Sequence, residues 1–351
     1  MTPSVQTPTG TTPEQTLMYA EAQEGGAAVA RFLETNGGTL DRIVARLKAA
    51  PPATVITCAR GSSDHAATYG KYLVETMIGV PTVSAALSVS SLFDAPVIAP
   101  GALCIAISQS GRSPDLLKTV EAYRTAGAFV VALVNDAFSP LAELADEVLP
   151  LEAGPERSVA ATKSYIVSLA GLAALVARWA GDTALEGEIA GLPDRLREAF
   201  MLDWDAATAP LLNASSLFVI GRGYSFAAAQ EAALKLKETC GLHAEAFSAA
   251  EVRHGPMAIV KDGFPVLGFA TSDAAGDDVR LVAKEFLDRG AQVGLADASG
   301  VMAGLPALRA HPVLEPILMI QSFYRFVNTL SLLRGLDPDT PPFLKKVTQT
   351  L

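Results

Sequence analysis

Cysteine, positive charge and long apolar runs are all scarce in this chain, and each shortage excludes a class of protein. The three cysteines, Cys58, Cys104 and Cys240, are far apart, so we expect neither a disulfide framework nor a paired-cysteine zinc site. The formal net charge of −10, without a block of Lys and Arg, argues against nucleic acid as a partner. The most apolar segment, residues 165–177, is too short to span a bilayer. We therefore expect a cytoplasmic protein with neither a membrane nor a nucleic-acid partner.

Size and composition indicate a folded chain of two domains. Its 351 residues are about twice the usual domain length. Half of the residues are hydrophobic and only 18% are charged, which is typical of a compact α/β enzyme and argues against disorder. Because the net charge offers no long-range attraction, an anionic ligand would have to be held by local N–H groups, hydroxyls and a few cations.

Short apolar runs alternate with helical stretches in the first half of the chain. The runs cover residues 53–58, 103–107 and 129–134, and the helical stretches cover 63–78 and 114–126. Continuous apolar runs between helices are typical of parallel strands that are covered on both faces. This half is therefore predicted to be a doubly wound, flavodoxin-like α/β domain.

The second half repeats the first at a fixed offset. Arg60-Gly61-x-Ser63 resembles Arg222-Gly223-x-Ser225, and 223 minus 61 gives 162. The same offset aligns two further pairs of segments, residues 104–110 with 266–272 and 131–133 with 293–295. Three segments in one register indicate a duplicated domain. The fold class is therefore predicted to be α/β, with two tandem parallel-sheet domains.

The flanking segments complete the predicted organisation. Residues 1–17 are rich in Thr, Pro and Ser and are expected to be a mobile tail. Helical periodicity follows in residues 18–48, and the pairs Gly25-Gly26 and Gly37-Gly38 predict two separate helices there. The predicted parts are the tail (1–17), the N-terminal helices (18–48), the first domain (49–184), a helical linker (185–212), the second domain (213–340) and a C-terminal tail (341–351).

The first candidate site is the hydroxyl-rich segment Ser108–Ser113, between a predicted strand and a predicted helix. Hydroxyls and N–H groups at a helix N-terminus can hold a phosphate. The alternative is an ordinary turn in which Ser113 caps the helix. A second hydroxyl loop, Gly61-Ser62-Ser63, follows a neighbouring strand and favours phosphate binding, because ligands of open α/β sheets bind at that edge. Gly221-Arg222-Gly223 lacks the rest of a dinucleotide motif, and we expect no cofactor.

The second candidate is the predicted helix 225–240, where Glu231, Lys235 and Glu238 share one face. An exposed, salt-bridged face is the ordinary explanation of such a pattern. The surrounding Ala and Leu residues leave few solvated faces, so the helix is expected to be buried and its charges to have a function. A carboxylate in such a place can move protons.

The third candidate is His254, which stands before a Gly-Pro turn. A lone histidine in a loop is more often structural than functional. His243 and Glu245 lie nearby, but they form no His-Glu-x-x-His or paired-cysteine motif. No metal site is therefore expected.

Six ordered motifs together resemble the isomerase half of glucosamine-6-phosphate synthase and its relatives, the sugar isomerase (SIS) family. The resemblance covers nearly everything after Met18. The motifs are Ser108-Gln-Ser-Gly, Val159-Ala-Ala-Thr-Lys163, Ala233-Leu-Lys-Leu-Lys-Glu238, His243-Ala-Glu-Ala, His254-Gly-Pro256 and Leu344-Lys-Lys-Val-Thr348.

The resemblance implies a role for each candidate residue. The 6-phosphate of a hexose would be held by Ser108, Gln109, Ser110 and Ser113. The sugar would be lined by the Gly61-Ser62-Ser63 loop, Val159 and Ala161. Catalysis would fall to Glu238, which moves the proton between C1 and C2, to Lys235 beside the reacting carbons, to His254 as the ring-opening group, and to Lys345 as the Schiff-base lysine. In the family this histidine comes from the neighbouring subunit, so a homodimer with shared active sites is expected.

One departure from the synthase pattern bears on the reaction. The synthase begins with a glutaminase domain and its nucleophilic Cys, whereas this sequence starts Met1-Thr2-Pro3. We therefore expect water in place of ammonia, and hence deamination of glucosamine 6-phosphate. The segment with Arg112 and Ser113 also looks closer to stand-alone deaminases, although Arg112 could pair with the phosphate or with a surface carboxylate. Another amino-hexose phosphate (galactosamine 6-phosphate), a deglycase acting on fructosamine 6-phosphate, and a non-catalytic sugar-phosphate sensor stay open as alternatives.

Overall fold

The computed structural model describes residues 10–346, which fold into two compact units. We call one the five-stranded unit; it contains Ala27–Pro155, Ser164–Gly191 and the described part of Lys345–Leu351. We call the other the four-stranded unit; it contains the described part of Met1–Gly26, Glu156–Lys163 and Leu192–Leu344. Residues 1–9 of the predicted tail and residues 347–351 lie outside the described part.

Helices and strands alternate along most of the chain. The strands are β1 (Val55–Cys58), β2 (Thr82–Ser84), β3 (Leu103–Ser108), β4 (Phe129–Val134), β5 (Glu147–Pro150), β6 (Ser216–Gly221), β7 (His243–Ser248), β8 (Pro265–Ala270) and β9 (Gln292–Asp297). The α-helices are α1 (Leu17–Gln23), α2 (Gly25–Ala49), α3 (Ser62–Met77), α4 (Leu87–Ser91), α5 (Pro114–Thr125), α6 (Pro140–Leu144), α7 (Lys163–Ala180), α8 (Thr183–Phe200), α9 (Thr208–Leu212), α10 (Tyr224–Cys240), α11 (Ala274–Asp288) and α12 (Glu315–Leu333). Short 3₁₀ helices span Pro13–Gln15, Asp205–Ala207, Glu251–His254 and Pro256–Ile259.

The five-stranded unit contains a parallel sheet in the order β2-β1-β3-β4-β5. Every residue of β3 and β4 is buried, so both faces of the sheet are covered. On one face, Cys104 and Val130 pack with Leu116 and Val120 of α5. This strand order is the flavodoxin-like, doubly wound order, and the predicted fold class is confirmed.

The four-stranded unit contains a second parallel sheet, in the order β7-β6-β8-β9. One face of this sheet packs against Val279, Val282 and Phe286 of α11. Helix α12 is buried along most of its length and contacts both α10 and α1.

The two sheets repeat each other at the predicted offset. Adding 162 to the bounds of β3 gives the bounds of β8. Gly61 and Gly223 precede α3 and α10 with nearly the same backbone angles, φ 55° and ψ −132° against φ 58° and ψ −130°. Both glycines therefore make the same left-handed turn between a strand and a helix.

The two predicted N-terminal helices are present as α1 and α2, and the first ends just before Gly25, but two details of the prediction are wrong. The helix does not break at Gly37-Gly38, because α2 continues through both residues. Each glycine costs a helix about 1 kcal/mol, and here the burial of Phe32, Leu40 and Ile43 outweighs that cost. Residues 13–16 are also ordered rather than part of a tail, since Thr16 is buried and its hydroxyl donates to Asn328 Oδ1 at 2.8 Å.

Within residues 10–346, none of the helices combines the length and the hydrophobicity that a bilayer crossing requires.

Candidate active site

The Ser108–Ser113 segment forms a tight loop from the end of β3 to the start of α5. The Ser108 hydroxyl accepts a hydrogen bond from the Gly111 N–H at 3.0 Å and still carries one hydrogen to donate. Gly111 has φ 64°, and a Cβ there would lie 2.2 Å from Ser139 Oγ. Ser113 occupies the N-cap position of α5, but its side chain makes no capping hydrogen bond. The loop therefore presents hydroxyls at a helix N-terminus, as a phosphate site requires.

Gly61, Ser62 and Ser63 lie next to this segment, because β1 and β3 are neighbouring strands. Gly61 belongs to the loop after β1, whereas the two serines, predicted in that loop, are the first residues of α3. Sequence reasoning missed the ion pair that links the two loops: Arg60 Nε and Nη2 donate to Asp115 Oδ2 at 3.0 and 2.8 Å. Asp115 is buried in the first turn of α5. Both hydroxyl loops thus lie at the point where the strand order reverses, which is where open α/β sheets bind ligands.

Arg112 is exposed at the rim of this loop and pairs with a surface carboxylate. Its Nη2 lies 2.8 Å from Asp136 Oδ2. The guanidinium lowers the pKa of Asp136, with help from the Phe138 N–H. Arg112 was expected to pair with the phosphate or with a surface carboxylate, and the structure shows a pair with the surface carboxylate of Asp136.

The four-stranded unit holds a cluster of three charges on α10. Lys235 Nζ lies 3.3 Å from Glu231 Oε1 and 2.6 Å from Glu238 Oε2. The Lys235 and Glu231 side chains are 1% and 0% exposed, whereas Glu238 is 20% exposed. Tyr324 on α12 donates its hydroxyl to Glu231 Oε1 at 3.0 Å. The expected burial of this helix is confirmed, and Glu238 is the member of the cluster that reaches solvent.

Electrostatics keep Lys235 charged. Burial alone would lower the pKa of Lys235, but the two carboxylates oppose it and the pKa is raised. Lys235 is therefore an ammonium at neutral pH, positioned to hold the carboxylate of Glu238. The ammonium thus fixes the position of a carboxylate that is partly open to solvent.

His254 lies at the end of the 3₁₀ helix Glu251–His254 and is exposed. The preceding residue anchors this helix to α11. Arg253 Nη1 donates to Asp278 Oδ1 at 2.9 Å, and Nη2 donates to Glu285 Oε1 at 2.8 Å. The anchor fixes the backbone on which His254 stands. In the part of the chain that the structure describes, no three His, Cys, Asp or Glu side chains are grouped as metal ligands.

Val159 and Ala161 are half-buried in the loop before α7. The Val159 N–H donates to the Asp339 carbonyl at 3.2 Å, and the Asp339 carboxylate accepts from the N–H groups of Leu17 and Met18, both at 2.7 Å. Sequence reasoning did not identify Asp339, which ties this loop to the residues that precede the C-terminal tail.

Lys345 is exposed, and Lys346 is half-buried. The rest of that motif, Val347-Thr348, lies outside the described residues. The predicted site residues therefore divide between the two units. The five-stranded unit contains the two hydroxyl-rich segments and Lys345. The four-stranded unit contains the α10 cluster, His254, Val159 and Ala161.

Two parallel-sheet α/β domains, the first with a hydroxyl-rich segment at the edge where open sheets bind ligands, define the class of this protein. The SIS domain family model matches residues 50–178 and 210–299. The chain belongs to the SIS domain family.

Known relatives agree with this assignment. A glutamine–fructose-6-phosphate aminotransferase (isomerizing) from Aeropyrum pernix is 36% identical over 310 residues, which are 82% of this chain and 49% of that protein. The chain thus spans about half the length of the curated relatives that it matches.

Solved structures extend the comparison. A provisionally assigned phosphosugar isomerase from Silicibacter pomeroyi DSS-3 is 42% identical, with a TM-score of 0.88 over 92% of this chain and 100% of that one. A glucosamine-6-phosphate deaminase from Thermotoga maritima shares the fold, with a TM-score of 0.75 and 22% identity over 95% of this chain and 100% of that one.

Proposed function

We propose that the chain is an aldose-ketose isomerase of amino-sugar phosphates that converts glucosamine 6-phosphate and water to fructose 6-phosphate and ammonia. The observation that carries this proposal is the α10 cluster. Burying charge is costly, and proteins retain it where it is paired and where chemistry uses it. A carboxylate that is held by a buried ammonium and reaches solvent is suited to abstract a proton next to a carbonyl.

The phosphate would bind at the hydroxyl loops of the five-stranded unit. Ser108, Gln109, Ser110 and Ser113 are the proposed ligands, supported by the hydroxyls and N–H groups that surround the start of α5. Gly61, Ser62 and Ser63 would contact the sugar from the neighbouring strand end. The positive end of the α5 dipole adds to the attraction for a phosphate dianion.

The proposed reaction begins with ring opening by His254, which moves a proton to the ring oxygen. Glu238 then takes the proton from C2 of the open aldehyde and returns it to C1, while a proton passes from the amino nitrogen to O1, which leaves a C1 alcohol and an imine at C2. The Lys345 amine adds to C2 and ammonia departs, so that a Schiff base joins the sugar to the chain. Water hydrolyses that Schiff base and releases fructose 6-phosphate. One water is consumed and one ammonia is released.

Two further parts of the proposal concern the surroundings of the sugar. Val159 and Ala161 would line it, with the Val159 backbone fixed by Asp339. We also propose a homodimer in which His254 serves the active site of the partner chain, because this histidine is exposed at the end of a short, anchored helix. No redox cofactor takes part in the proposed steps.

The decisive experiment is a coupled ammonia assay without glutamine, run on glucosamine 6-phosphate, galactosamine 6-phosphate and fructosamine 6-phosphate. We expect equal release of ammonia and fructose 6-phosphate from the first compound, and loss of that release in Glu238→Gln. Interconversion of a phosphosugar without ammonia would support plain isomerisation instead. Binding without turnover of any of these compounds would indicate a sensor.

The shared site has its own test. His254→Ala and Glu238→Ala chains, each inactive alone, are mixed after partial unfolding and refolding. If the sites are shared, mixed dimers contain one intact site and recover part of the activity. Mixed dimers that form and stay inactive would show that each chain supplies its own histidine.

A further inference from the structure

The strand order of the second sheet also reverses at one point, between β6 and β8. A side chain of the same unit fills that point. Strands β6 and β8 are neighbours whose carboxyl ends correspond to those of β1 and β3. Ser272 is the second residue after β8, as Ser110 is the second after β3, and 272 minus 110 is again 162. The two serines therefore hold the same place in the two halves of the duplication.

Glu315, the first residue of α12, lies at this place with its side chain fully buried. Its Oε2 accepts from the Ser272 N–H at 2.7 Å, and its Oε1 accepts from Ser272 Oγ at 2.7 Å and from the Ala310 N–H at 3.2 Å. One backbone N–H and one hydroxyl of the same serine thus hold a carboxylate. These are the donor groups that Ser110 carries in the first loop.

No cation accounts for this buried carboxylate. Among residues 10–346, the structure contains no ion pair to Glu315, so this buried carboxyl group is stabilised by hydrogen bonds from Ser272 and from the Ala310 N–H. Burial raises the pKa of Glu315, and these hydrogen bonds reduce the rise without cancelling it. A buried anion is stable without a cation only where N–H and O–H donors converge on it.

The start of α11, which follows the second loop, is also capped by a side chain of the same unit. Asp273 caps α11: its Oδ1 accepts from the Gly276 N–H at 3.1 Å and from Thr271 Oγ1 at 2.6 Å. In the first loop, by contrast, Ser113 stands at the N-cap without a capping bond. Carboxylates of the unit itself therefore occupy both groups of donors in the second loop.

We infer that the Glu315 carboxyl group fills the oxyanion seat, meaning the pair of donors that Ser272 forms in the second domain, so that this seat takes no external phosphate. The seats that the duplication produced have diverged. One is open to an external phosphate, and the other is used to hold the start of α12.

The first test counts phosphate seats on the full chain with inorganic phosphate as the probe, by equilibrium dialysis with radiolabelled phosphate. We expect wild type to bind one phosphate per chain and Ser110→Ala to lose most of that binding, whereas Ser272→Ala leaves it unchanged. Two phosphates per wild-type chain, of which Ser272→Ala removes one, would overturn the inference.

The second test removes the Glu315 carboxyl group from the Ser272 seat. Glu315→Ala should have a lower melting temperature than wild type, and sodium formate, which carries the deleted group, should restore part of the difference. Formate should have no such effect on wild type or on the Glu315→Ala/Ser272→Ala double variant, with sodium chloride as the ionic-strength control. A folded Glu315→Ala chain that gains nothing from formate would refute the inference. If this variant does not fold, the phosphate count on wild type decides alone, and neither test depends on the proposed deaminase activity.

Discussion

Replacing Lys235 with Met tests the buried charge cluster on which the proposed function depends. Met has nearly the same length as Lys, so the packing of α10 is preserved while the ammonium is lost. Glu231, fully buried, would keep the Tyr324 hydrogen bond but lose its cation. The variant therefore isolates the cost of a buried, uncompensated carboxylate.

The expected cost is large. Removing one partner of a buried ion pair destabilises a protein by about 3–5 kcal/mol. Since a free energy of unfolding is about 5–15 kcal/mol, this is about a fifth of the total or more. At about 2–4 °C per kcal/mol, the melting temperature should fall by at least about 6 °C. Turnover should also be lost, because Glu238 loses the cation that holds it at 2.6 Å.

Two further variants serve as a matched control and as a test of whether stability can be restored. Lys284→Met removes an exposed i,i+4 pair with Asp288, in which both side chains are 67% exposed. That pair is expected to contribute less than about 1 kcal/mol. The double variant Glu231→Gln/Lys235→Met removes the orphaned charge and retains an acceptor for Tyr324, so most of the lost stability should return without the activity.

Urea unfolding followed by circular dichroism measures all four proteins under one condition. If Lys235→Met is no less stable than Lys284→Met, the cluster is not a buried ion pair in solution. If the double variant is as unstable as the single one, the loss comes from packing, and the electrostatic reasoning is wrong.

Three further predictions follow from single residues. Ser108→Ala should weaken the binding of fructose 6-phosphate about tenfold or more, since a hydrogen bond to a charged group contributes about 1.5–3 kcal/mol; unchanged affinity in calorimetry would place the phosphate elsewhere. Gly111→Ala should cost at least about 1–2 kcal/mol because of its left-handed φ of 64° and the Cβ contact with Ser139, whereas Gly37→Ala, with nothing within 4 Å, should stabilise helix α2. Burial alone would raise the pKa of Asp278, but hydrogen bonds from two arginines lower it. Its contribution to stability is therefore present above the unfolded pKa of about 3.9 and lost as the pH falls through the folded value. Asp278→Asn should accordingly be less stable than wild type at pH 7 and show a flatter acid denaturation curve, and equal curves would contradict this.

Local patterns and the internal repeat were predictable from the sequence. The apolar run 129–134 matches β4 residue for residue, and the 162-residue offset relates β3 to β8. The three charges on one face of α10 were predictable as a buried cluster because most of the residues between them are Ala and Leu. For the strand and the helix, neighbouring residues of one element carry the information, and for the duplication the matching segments carry it.

Contacts across long sequence separations were not predictable. Nothing local to Arg60 indicates Asp115, which is 55 residues away, and nothing near Glu231 indicates Tyr324, which is 93 residues away. The helix through Gly37-Gly38 was missed for the same reason. Its glycines predict a break, but Arg178, 141 residues away, donates to the Gly37 carbonyl at 2.9 Å and holds that turn.

The duplication divides the proposed chemistry between its two halves. Subtracting 162 from Glu231, Lys235 and Glu238 leads to the positions of Tyr69, Leu73 and Thr76 on α3, none of which can act as a carboxylate or a cation. Conversely, the loop of the second half that corresponds to Ser108–Ser113 is already filled by a carboxylate. One half thus contains the proposed phosphate site and the other contains the charged cluster. The proposed reaction needs both, and therefore needs both halves of the duplicated chain.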